Sequence, residues 1–79
     1  MLDAKIVGRA IQRVREQRNQ SQELVSGLAG IGRTHLSAIE RGERKPTLET
    51  FFHIAYALDM KASELMRAVE QEMENPKTE

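Results

Sequence analysis

The sequence predicts an all-α domain of five short helices, and three observations carry that expectation. Apolar residues recur at spacings of three and four over most of the chain, the period of one helix face. Serine, threonine, glycine and proline fall between these runs, where helices start and stop. No run alternates apolar and polar residues as a half-buried strand would. With 79 residues there is room for one domain with a small core. Its stability is therefore modest and would gain from pairing with another copy.

Ile6, Val7, Ala10, Ile11 and Val14 form the apolar stripe of a first helix, roughly 3–18, whose other face carries Arg9, Gln12, Arg13, Arg15 and Glu16. Asn19 or Gln20 ends it. Ser21 caps a short second helix, because its hydroxyl can accept an unpaired amide of the first turn. Gly27 weakens that helix by about 1 kcal/mol relative to alanine. Ala29-Gly30-Ile31-Gly32 then breaks it, and Gly30 suits the left-handed turn between two helices. A third helix, 33–41, stops at Gly42. Leu36 and Ile39 anchor it, while Arg33, Thr34, His35, Ser37 and Ala38 are small or hydrogen-bonding and face outward. Beyond the charged loop Glu43-Arg44-Lys45-Pro46, Thr47 caps a fourth helix. Leu48, Phe51, Phe52, Ile54, Ala55, Tyr56, Ala57 and Leu58 make that helix apolar almost all round, which predicts burial on more than one side. Asp59-Met60-Lys61 separates it from a fifth helix over 62–74, striped by Leu65, Met66, Val69 and Met73. Residues 1–74 thus form the domain, and 75–79 form a frayed tail.

Composition removes several classes. Cysteine is absent, which excludes disulfides, thiolate metal sites and cysteine nucleophiles, and fits a reducing cytoplasm. No apolar run approaches the roughly 18 residues of a membrane span, and the charged start is not a signal peptide. His35 and His53 have no third metal ligand at a suitable spacing. No phosphate loop or nucleophile motif points to catalysis or to a bound cofactor or small molecule. The net charge is zero, but it is unevenly spread. Residues 1–45 hold nine Lys/Arg against five Asp/Glu, and 46–79 hold three against seven. A basic front suits an anionic partner.

The second and third helices carry the informative pattern. Ser26 is small enough for two helices to cross. Gly30 follows four residues later, and Leu36 and Ile39 anchor a second helix with a polar outer face. Together they describe a helix-turn-helix over 21–41. The stretch Ser21-Gln22-Glu23, followed by Gly30-Ile31-Gly32-Arg33-Thr34-His35-Leu36-Ser37-Ala38-Ile39-Glu40-Arg41-Gly42-Glu43-Arg44-Lys45-Pro46-Thr47-Leu48, resembles the phage-repressor-like helix-turn-helix (XRE) family. Within it, the run from Arg33 to Pro46 looks most like the small controller proteins of restriction–modification systems. The resemblance covers roughly residues 4–66. Departures are Ser26 for the usual alanine, Gly27 for a polar helix former, and Gly32 for a Ser/Asp cap.

The resemblance implies a five-helix, lambda-repressor-like DNA-binding domain, and roles for particular residues. Arg33, Thr34, His35 and Ser37 would read base edges in the major groove. Gln22, Arg41, Arg44 and Lys45 would contact phosphates. Arg15 and Glu40 would form a structural ion pair. The implied function is a non-enzymatic, cytoplasmic transcription regulator on double-stranded DNA, able to exclude or recruit RNA polymerase.

The stripe Leu65, Met66, Val69 and Met73 adds a second expectation. A small core cannot cover it together with an all-round apolar fourth helix, so it predicts a homodimer on a near-palindromic operator. The plainer reading is that the fifth helix only caps the domain. Two other functions remain open on the same residues. One is an antitoxin that also holds a small toxin. The other is a protein–protein module in which Arg33 is idle and Met66 and Val69 carry binding.

Overall fold

A computed structural model describes residues 2–74. The five helices are α1 (Ala4–Gln17), α2 (Gln22–Ala29), α3 (Arg33–Glu40), α4 (Leu48–Ala57) and α5 (Ala62–Glu74). No strand occurs among the described residues. The expected tail at 75–79 lies outside them.

Local chemistry sets the helix starts. The Asp3 carboxylate accepts from Lys5 N at 2.9 Å, the Ser21 hydroxyl from Leu24 N at 3.0 Å, and the Thr47 hydroxyl from Thr50 N at 3.0 Å. Each removes an amide that the first turn leaves unpaired. Helix ends follow one backbone plan. After α2, Ile31 N donates to Ser26 O at 3.0 Å and Gly30 N to Gly27 O at 3.2 Å, with Gly30 at φ 73°. After α3, Glu43 N donates to Ala38 O at 2.9 Å and Gly42 N to Ile39 O at 3.0 Å, with Gly42 at φ 79°. Asn19 and Asp59 take the same left-handed position after α1 and α4, at φ 56° and 60°. This paired closure satisfies the last carbonyls and turns the chain sharply. The turn at Gly42 also needs glycine for space, since a Cβ there would sit 2.8 Å from Lys5 Cα.

The centre is dry and aliphatic. Ile11, Val25, Leu36, Ile39, Ile54, Leu58, Leu65 and Val69 have no exposed surface. α1 packs on α5 and α3, α2 on α4 and α3, and α4 on α5. No helix is long and apolar enough to cross a membrane among the described residues.

Two expectations change here. Leu65 and Val69 are 0% exposed and belong to the domain's own core, so they are not dimer-interface residues. With Glu72 they form the face of α5 that closes against α1. Met66 and Met73, seven residues apart, lie at the edge of that face, the first half-buried and the second exposed. Nor is α4 buried on several sides. Phe51, Ile54, Ala55 and Leu58 face the core, while Leu48, Phe52 and Tyr56, spaced by four, stay exposed in one stripe.

Candidate nucleic-acid interface

The α2–turn–α3 unit presents one face of α3. Val25, Ser26 and Ala29 bury the inner side of α2, and Leu36, Ile39 and Glu40 bury that of α3. The Ser26 hydroxyl donates to Glu23 O at 3.2 Å, three residues back, so the polar atom at the helix crossing has a partner. Gly32 brings no side chain to the start of α3, whose first turn has no side-chain cap.

What remains outward is hydrogen-bonding. Arg33 and Thr34 are exposed, and His35 and Ser37 are half-buried. Arg33, Thr34, Ser37 and Arg41 line one shallow polar depression. The structure therefore brings three of the four expected base readers into one concavity, with His35 outside its lining. The basic residues that follow α3 are more varied than expected. Arg44 is exposed, and its guanidinium donates no hydrogen bond among the described residues. Lys45 Nζ donates to Leu2 O at 3.2 Å, tying the loop to the start of the chain. Arg41 Nε and Nη2 donate to the two carboxylate oxygens of Glu43 at 2.8 and 3.0 Å, and Nη1 donates to Ser37 Oγ. That fork holds the Glu43 carboxyl below its ordinary range and raises Arg41 above its own. Arg41 is thus already matched to an anion.

Behind the face, α3 is locked to α1. Arg15 Nε and Nη2 donate to Glu40 Oε2 and Oε1 at 2.7 and 3.0 Å, and Nη1 donates to Gln20 O at 2.8 Å. The hydrogen bond to Glu40 is the chief reason the Arg15 guanidinium is raised above its ordinary value, against the opposing effect of burial. Gln22 Nε2 also donates to Glu40 Oε1, at 2.9 Å. Gln22, expected at a phosphate, thus commits one donor to this internal network and retains the other.

Several contributors escaped the sequence reading. A Cβ on Gly8 would overlap the carbonyl oxygens of Ile39 and Glu40, so α1 and α3 meet backbone to backbone there. Glu72 is buried beneath Arg9 and Arg13. Its Oε2 lies 3.2 Å from Arg9 Nε and its Oε1 2.5 Å from Arg13 Nη2, the latter off the line of an N–H bond. A signal for Glu72 existed, because residues 65, 69 and 72 share the inward face of one helix. Among the described residues no group of three side chains is placed to hold a metal ion.

A small helix-turn-helix face, presented outward and braced from behind, is the arrangement of a DNA-binding regulator. The chain belongs to the helix-turn-helix family, whose model matches residues 11–65. It is 34% identical over 67 residues to an uncharacterized HTH-type transcriptional regulator of Sinorhizobium fredii, covering 85% of this chain and 87% of that protein. It is 32% identical over 62 residues to the control protein C.SmaI of Serratia marcescens, covering 78% and 74%. Among solved structures it resembles the restriction–modification controller protein C.AhdI of Aeromonas hydrophila, with a TM-score of 0.75 and 31% identity over 78% of this chain and 94% of that one. The controller C.Esp1396I shares the fold at a TM-score of 0.84 and 22% identity, over 91% of this chain and 94% of that one.

Proposed function

We propose that the protein is a sequence-specific regulator of transcription that binds a near-palindromic operator as a homodimer, in the manner of a restriction–modification controller. The observation that carries the reading is the outward depression of Arg33, Thr34 and Ser37 on a helix fixed from behind by Arg15 and Glu40. Arg33 can donate two hydrogen bonds to guanine, and Thr34 offers a hydroxyl and a methyl to a neighbouring base. His35 touches a base or a phosphate beside them. Arg44, Lys45 and the free donor of Gln22 contact the backbone, which fixes register without reading sequence. Residues 1–74 act as one unit, and no effector domain is needed if dimerisation makes the response depend on protein concentration.

The corrected burial moves the pairing surface. Leu48, Phe52 and Tyr56 on α4 form an exposed apolar stripe, Leu48 shares a groove with the half-buried Met66 of α5, and a second copy fits such a self-complementary face. Two recognition helices would then lie about 34 Å apart, one turn of DNA. Likeness to two controller proteins supports a role beside a restriction endonuclease gene, in the cytoplasm, where operator occupancy excludes or recruits RNA polymerase.

The test is fluorescence anisotropy on DNA from upstream of the protein's own gene, against scrambled competitor, over a range of salt. Wild type should bind tightly and resist competitor. Arg33→Ala should lose about 1–3 kcal/mol of discrimination. Phe52→Lys should shift sedimentation toward monomer. Equal, weak binding of both DNAs by both proteins would reject sequence-specific reading of that operator.

A further inference from the structure

Arg41 is expected at a phosphate, yet the structure pairs its exposed guanidinium with the chain's own groups. Glu43 takes two of its N–H groups in a fork, and Ser37 Oγ accepts from a third nitrogen. The turn at Gly42 places Glu43, whose own N–H is fixed on Ala38 O at 2.9 Å. A forked carboxylate sets the plane of a guanidinium, which a single contact does not. The other three N–H directions are thereby set as well, and one of them, on Nη1, ends on Ser37. A serine hydroxyl has one proton and two lone pairs. Accepting from a cation occupies one lone pair, turns the proton away from Arg41 and polarises the hydroxyl, so that it donates to a third group more strongly than it accepts from one. Ser37 opens on the same depression as Arg33 and Thr34.

We infer that Glu43 and Arg41 are positioning residues that fix Ser37 as a hydrogen-bond donor, so that the base facing it presents an acceptor edge, guanine O6 or N7. Guanine fits best because both of its major-groove atoms accept, whereas adenine adds an amine donor, cytosine presents an amine donor alone, and thymine sets a single acceptor beside a methyl. The inference rests on the DNA reading proposed above. It has a second consequence. Glu43 neutralises Arg41, so Arg41 releases no counterion when DNA binds. Glu43 thus lowers affinity for DNA in general while sharpening the choice of one base.

Selection of sites from random duplex DNA by wild type, Ser37→Ala, Arg41→Ala and Glu43→Gln tests this. Thermal melts should show that each folds, since all three side chains lie outside the core. Wild type should enrich guanine at one position in each half-site, and Ser37→Ala should lose that enrichment. Arg41→Ala and Glu43→Gln should weaken it about fivefold at that position alone, the weight of one hydrogen bond. They should also admit amine-bearing bases there more readily, because a hydroxyl no longer polarised by Arg41 accepts as well as it donates. In binding titrations, Glu43→Gln should steepen the dependence of log K on log salt by about 0.9, as Arg41 becomes free to meet a phosphate, and Arg41→Ala should leave it unchanged. An undiminished guanine preference in Arg41→Ala and Glu43→Gln would overturn the inference. So would a salt slope that falls by about 0.9 in Arg41→Ala with all sequences weakened equally, which would make Arg41 an ordinary phosphate ligand. Enrichment of no sequence by wild type would defeat the DNA reading itself, a result distinct from both.

Discussion

α1 is bordered by two seams, and they hold in different ways. Against α3, the Arg15 and Glu40 side chains are 11% and 2% exposed, and Glu40 receives three hydrogen bonds. At Gly8 the two backbones touch. Against α5, Glu72 is fully buried, but Arg9 and Arg13 are 48% and 47% exposed, and Glu72 Oε1 has no hydrogen bond. Leu65 and Val69 do the packing there. The first seam fixes the helix that faces DNA, where a small rotation would move every base contact. The second only closes the core, and apolar area suffices for that. Polar precision is concentrated behind the reading helix.

The largest test removes each glutamate in turn. Glu40→Met should cost about 3–5 kcal/mol, because Arg15 is left charged and enclosed without its partner. A small domain has little more than that in total. Glu72→Met should fall within about 1 kcal/mol of wild type or stabilise, because Arg9 and Arg13 can turn into water while the methionine packs beside Val69. Denaturant melts with matched slopes measure both. Equal losses would mean that the two seams are alike.

A pair of glycines gives a smaller contrast with a change of sign. By helix propensity alone, Gly8→Ala and Gly27→Ala should each stabilise by about 1 kcal/mol. At Gly27 a Cβ meets nothing within 4 Å, so a gain of about 0.5–1 kcal/mol is expected. At Gly8 the new methyl strikes the carbonyls of Ile39 and Glu40, so a loss of about 1–3 kcal/mol is expected. The displaced helix is α3, so Gly8→Ala should also weaken specific DNA binding at temperatures where it remains folded. A loss of stability without a loss of binding would uncouple the seam from the reading face.

The same contrast explains what could be read from the sequence. Caps and turns were legible because their chemistry is local. Ser21, Gly30, Gly42 and Thr47 act on amides and carbonyls within five residues of themselves. The outer face of α3 was legible because its residues share one short helix. Gly8 was not, since its constraint comes from carbonyls more than thirty residues away. Leu65 and Val69 were assigned to a partner because an apolar stripe shows that a face is covered but not by what. Glu72 shares the inward face of α5 with Leu65 and Val69, so its position is legible from spacing, but its partners Arg9 and Arg13 lie on another helix and the pairing is not. Glu43 reads as a loop charge in the sequence, and only the turn at Gly42 brings it onto the arginine two residues before it.

That last pair offers the finest test, because Arg41 and Glu43 are an exposed ion pair beside two buried ones. The hydrogen bond from Arg41, aided by its charge, holds the Glu43 carboxyl below its ordinary range. A carboxyl depressed on folding adds stability that is present above its unfolded value and is lost as the pH falls through the folded one. The fork should therefore persist at neutral pH and dissolve only in acid. Exposure and salt keep its share of stability small. Carbon-detected NMR titration should find Glu43 protonating at lower pH in the wild type than in Arg41→Ala, and the substitution should not move the melting point appreciably. If Glu43 titrates alike in both proteins, the fork is not the resting arrangement. Arg41 would then be free for phosphate, and the hydroxyl of Ser37 would choose its own direction.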